Sequence, residues 1–120
     1  MALTKYIADQ ILPLITGEID LDMLTEIVRN TIEDDLKIWQ QMQSGILEFR
    51  DAINDKSREI KDWHKWIEKK TETKSINMAK ALIIRAEREK YWLQTLRDDG
   101  RSREKIIKDG IAWLTANLKG

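Results

Sequence analysis

Isoleucine recurs every seven residues at Ile46, Ile53, Ile60 and Ile67, and the same register runs back through Trp39 to Ile32. Met42, Phe49 and Trp63 fall three or four residues after members of this series. Apolar positions at alternating three- and four-residue intervals line one side of a helix. Sustained over several turns, they describe a helix lying along a partner helix. The chain is therefore expected to be all-α, a bundle of four to five helices held by helix-on-helix packing.

The composition agrees. Hydrophobic residues make up 42% and charged residues 35%, a balance suited to helices with one buried and one solvated face. One proline, Pro13, and five glycines are too little punctuation for an all-β chain, which needs a turn signal every eight to twelve residues. A length of 120 residues fits one domain over 1–120. The lack of cysteine excludes disulfides and thiolate metal sites and fits an intracellular setting. The N-terminal residues carry no apolar run of signal-peptide length, and the longest apolar stretch, Ile11 to Ile15, is far too short to span a bilayer. A cytoplasmic protein without membrane contact is the expectation.

A first helix is expected over Ala2 to Ile15, with Leu3, Tyr6, Ile7, Ile11 and Leu14 on one side and Pro13 limiting its end. Asp20 stands as N-cap of the next helix. From Leu21 the stripe keeps its spacing to Ile67, interrupted only by Asp35 and Lys56. Ser44-Gly45 and Asn54-Asp55 offer turns, yet the phase continues through both. One long central helix over about 21–71 is expected, with a hairpin at one of those sites as the alternative. A helix of that length would extend about 75 Å. Ser75 is read as the N-cap of a third helix reaching Arg97, burying Ala79, Leu82, Ile83, Ala86, Leu93 and Leu96. Gly100 is a stop, and Ser102 would cap a last helix striped by Ile106, Ile107, Ile111, Leu114 and Leu118.

A continuous central helix would leave its middle uncovered by the shorter helices. Leu36, Trp39, Met42, Ile46, Phe49 and Ile53 would then form an interaction seam, because soluble monomers rarely expose so large an apolar patch. The first functional expectation is thus a non-catalytic assembly or adaptor module that pairs with itself, as a homo-oligomer, or with a protein partner.

The alternative is a nucleic-acid-associated subunit. Residues 1–60 hold six basic and twelve acidic residues, whereas residues 61–120 hold fifteen and nine. Within the basic half, Lys61, Lys65 and Lys69 form a ridge at four-residue spacing beside Trp66. Lys70, Lys74, Arg85, Arg88, Arg101 and Arg103 continue the positive charge. Cations beside an aromatic ring can meet phosphates and stack on a base.

No enzyme chemistry is legible. His64 and Glu68 share a helix face, but a stable metal site needs three or four ligands, and His64 is the only histidine. Glu33, Asp34 and Asp35 point in three directions on a helix and read as a solvated run, with Asp35 on the stripe and able to set register. There is no nucleophile elbow, and the glycines stand too far apart for a phosphate loop. No catalytic residue, metal or cofactor is assigned.

Overall fold

The computed structural model describes residues 2–98 and 103–119. The expected stop at Gly100, the cap at Ser102 and the cation Arg101 lie outside them. Among the described residues there are five α-helices and no strand. Helix α1 (Ala2–Tyr6) runs into a π turn at Ile7–Ile11 and a 3-10 turn at Leu12–Leu14. Leu3, Ile7 and Ile11 are buried, as their spacing requires. Leu14 is not: the backbone turns extended at Ile15, just past Pro13, and leaves that side chain 64% exposed.

Helix α2 spans Leu21–Gln43, and Asp20 caps it by accepting from the Met23 N–H at 3.0 Å. The chain then turns. Gly45 takes φ +79°, its N–H reaches the Met42 carbonyl at 3.1 Å, and the Ile46 N–H reaches back to Gln41 at 2.9 Å. That pair of bonds is a Schellman ending, which satisfies the last carbonyls of a helix through one left-handed residue. The expected continuous helix over 21–71 is therefore corrected to the hairpin alternative, with its turn at Ser44-Gly45. Helix α3 follows at Phe49–Glu68. The stripe keeps its phase because Met42 and Phe49 lie seven residues apart on either side of the turn. Ile46, the stripe member inside the turn, is 78% exposed.

Helix α4 is Thr73–Asp98, beginning two residues before the expected cap at Ser75. Its six expected core residues are all buried. Helix α5 is Arg103–Lys119, with Ile107 and Leu114 buried and Ile106, Ile111 and Leu118 half-buried. Helix α3 packs mainly on α4, and α2 mainly on α5. The molecule measures 44 × 32 × 20 Å, the shortest axis being the thickness of two helices. Gly110 lets α5 approach α2: a Cβ there would lie 2.6 Å from the Trp39 ring. Asn77, buried on α4, donates to the Thr16 and Glu18 carbonyls at 3.2 and 2.7 Å and pins the segment between α1 and α2.

Folding back at Gly45 also changes the seam. Trp39, Met42 and Ile53 are buried in this chain's own core, and Leu36 and Phe49 pack against it half-buried. Of the six residues expected to face a partner, only Ile46 is exposed. No helix among the described residues is long and apolar enough to cross a membrane.

Candidate functional site

The two polar interruptions of the heptad stripe meet each other inside the protein. Lys56 Nζ on α3 donates to Asp35 Oδ1 on α2 at 2.5 Å. Arg85 on α4, 2% exposed, sets its Nη2 2.9 Å from Asp35 Oδ2 and donates from Nη1 to Glu89 Oε1 at 3.0 Å. The second Glu89 oxygen accepts from Trp39 Nε1 at 2.7 Å. Two cations and two carboxylates thus share a nearly dry site joining three helices. Burial, reinforced by Asp35, pushes the Glu89 carboxyl above its ordinary range. Burial opposes the Lys56 ammonium, but Asp35 and Glu59 outweigh it and raise its pKa. Arg85 is likewise held charged against burial by Glu89 and Asp35. Asp35 is therefore no part of a solvated run, although Glu33 and Asp34 beside it are exposed.

This cluster removes Arg85 from the expected nucleic-acid surface, since at 2% exposure its guanidinium lies inside the bundle, out of reach of a nucleic-acid backbone. The other members also part company. Lys61, Lys65, Lys69, Lys70 and Lys74 are exposed around the end of α3 and the start of α4, with Trp66 half-buried among them. Arg103 opens α5, after the 26 residues of α4. That helix separates the two groups by about 39 Å at 1.5 Å per residue. Arg88 lies between them along α4, on the wall of a cavity that Lys5 of α1 also lines. The single basic surface expected over 61–103 is thus reduced to one lysine-rich end. His64 and Glu68 are exposed, and no group of three or more potential metal ligands gathers among the described residues.

The lysine-rich end carries an open apolar groove. Met23 and Ile27 of α2 form one wall, Trp63 and Trp66 of α3 the other, and Met78, Ala79 and Leu82 of α4 the floor. Its volume is about 360 Å³. The groove exists because α2 packs on α5 while α3 packs on α4, so the start of α2 and the end of α3 are not pressed together. Ala79 gives the floor its depth. The tryptophan rings meet edge to face with centroids 5.7 Å apart, and Lys70 Nζ sits 4.9 Å from the Trp66 ring centroid. Met23 is 52% exposed at the lip. Sequence reasoning placed Trp63 on the core stripe and missed this groove, because its walls come from segments forty residues apart.

No known protein family matches the chain, and no curated protein or solved structure is significantly similar to it.

Proposed function

We propose that the protein is a non-catalytic binding module that seats an amphipathic, acidic helix of a partner protein in the groove between α2, α3 and α4. The observation that carries this reading is the half-buried pair Trp63 and Trp66 on an apolar groove that the described residues leave uncovered. An amphipathic helix is recognised when its apolar stripe enters such a groove, and buried aromatics dominate the energetics. Methionines at the lip and floor can adapt to the incoming side chains. The groove's own charged lining is mixed, Asp20 and Glu72 with Lys74, and the positive charge for an acidic partner lies on the surrounding surface of α3. Residues 61–74 hold five lysines and three acidic residues, and Lys61, Lys65 and Lys69 present a basic ridge beside Trp66.

Self-association, expected from an uncovered seam, loses its premise once Trp39, Met42 and Ile53 are inside the core. A 14.1 kDa monomer is the expected solution species.

Panning a displayed library of helical peptides against the protein tests the reading. Selected peptides should carry apolar residues at i, i+3 or i+4, and i+7, with acidic residues beside them. Their binding should fall at least about tenfold on Trp66→Ala or Met23→Asp, as expected when an interface anchor is removed. Peptides indifferent to both substitutions would overturn it.

The lysine-rich end also supports the nucleic-acid reading, now confined to Lys61, Lys65, Lys69, Lys70 and Lys74 around Trp66. It requires salt-sensitive retention on single-stranded RNA or DNA, weakened by Lys65→Glu with Lys69→Glu. Lys70 already occupies a position over the Trp66 ring, which favours the peptide over base stacking.

A further inference from the structure

A second cavity, of about 400 Å³, opens between α1, α4 and α5. Tyr6, Trp92 and Trp113 line it. Trp113 stands edge to face against both other rings, at centroid distances of 4.9 Å to Tyr6 and 5.1 Å to Trp92. Arg85 lines the same cavity, its guanidinium carbon 5.7 Å from the Trp113 centroid and 6.0 Å from that of Tyr6. Among the described residues, three buried polar atoms of Arg85 and Tyr6 have no hydrogen-bond partner; Arg85 Nη2 faces Asp35 as an ion pair, which leaves Arg85 Nε and the Tyr6 hydroxyl unpaired. Leaving a buried donor unmade is costly, so such atoms in a cavity wall mark where a ligand's acceptor would sit. Lys5 and Arg88, both exposed, add positive charge at the mouth. The π turn at Ile7–Ile11 begins directly after Tyr6, and such turns cluster at functional sites.

The geometry points to this cavity as a binding site for a small aromatic carboxylate. Its ring lies among Tyr6, Trp92 and Trp113, and its carboxylate accepts from Arg85 Nε, from the Tyr6 hydroxyl and from Arg88. The volume falls within the range of small-molecule sites. A singly charged anion fits better than a phosphate dianion, because Asp9 stands at the mouth and Asp35 and Glu89 lie behind Arg85.

The test is a titration of the full chain with benzoate, benzyl alcohol, benzylammonium and inorganic phosphate, followed by the indole N–H resonances. Benzoate is expected to saturate with a dissociation constant below about 1 mM, as its few heavy atoms allow. It should move Trp92 and Trp113 while leaving Trp63 and Trp66 in place. Arg85 variants risk unfolding, so Tyr6→Phe, which removes only the hydroxyl, and the surface change Arg88→Gln carry the site test. Each should weaken benzoate at least about fivefold, as loss of one hydrogen bond to a charged group does, without lowering the melting temperature; Tyr6→Phe, which removes an unpaired buried hydroxyl, should raise it. No saturation by benzoate, equal binding of benzyl alcohol or benzylammonium, tighter binding of phosphate, or wild-type affinity in both variants would each overturn the assignment.

Discussion

Replacing Gly45 by alanine distinguishes a hairpin from a straight helix by the sign of one free-energy change. In the hairpin Gly45 sits at φ +79°, and a Cβ built there meets no atom within 4 Å. The cost is therefore the backbone term alone, about 1–2 kcal/mol for an L-residue held left-handed. The reduced entropy of the unfolded chain offsets a few tenths of that. Gly45→Ala should thus destabilise by roughly 1 kcal/mol. In a continuous helix the same substitution would stabilise by about 0.8–1 kcal/mol, because alanine is the better helix former. Asparagine tolerates the left-handed region better than alanine and sharpens the contrast. The hairpin orders stability as glycine, asparagine, alanine; a straight helix reverses it. Urea melts followed by far-ultraviolet circular dichroism, with unchanged m-values, read the order directly. An alanine variant more stable than the parent would refute the turn.

Gly110→Ala should cost about 1–3 kcal/mol despite its helix propensity, because the new Cβ meets a Trp39 ring tethered through its Nε1; thermal melts as stable as the parent would show that α5 can slide. A double-mutant cycle with Asp35→Asn and Lys56→Met should return a coupling of about 1–3 kcal/mol, and a value near zero would mean that the pair does not act as a unit in solution. Glu89 supplies a pH dependence whose sign follows from its raised pKa. The folded chain holds this proton more tightly than the unfolded chain, whose ordinary value is 4.5. The contribution is fully present below that value and is lost as pH rises through the folded pKa. Relative to Glu89→Gln, the parent should lose stability as pH rises above 4.5; parallel curves for the two proteins would contradict the shift.

The helix class, the N-cap at Asp20 and the buried faces of α4 and α5 were legible because each depends on residues within one or two turns. The turn at Gly45 was not, because seven residues from Met42 to Phe49 restore the heptad phase across a reversal of direction. A phase test sees only spacing. The better signal was local: glycine after a serine at the end of a long stripe. Asp35 and Lys56 were visible as interruptions of the stripe, but only the fold shows that they interrupt it at the same place in space. Arg85 and Glu89 gave no warning, since charged residues four apart on a helix read equally well as a solvated pair. The groove and the aromatic cavity depend on which helices pair, and a single stripe does not encode that.

The five tryptophans report separately on the parts of this protein: Trp39 on the buried seam, Trp63 and Trp66 on the groove, Trp92 and Trp113 on the aromatic cavity. The most direct measurement is an indole N–H titration with an acidic helical peptide selected against the protein, at two salt concentrations. Binding in the groove should shift Trp63 and Trp66, leave Trp39, Trp92 and Trp113 unmoved, and weaken as salt rises. Shifts centred on Trp39, or a bound peptide that leaves Trp63 and Trp66 untouched, would contradict it.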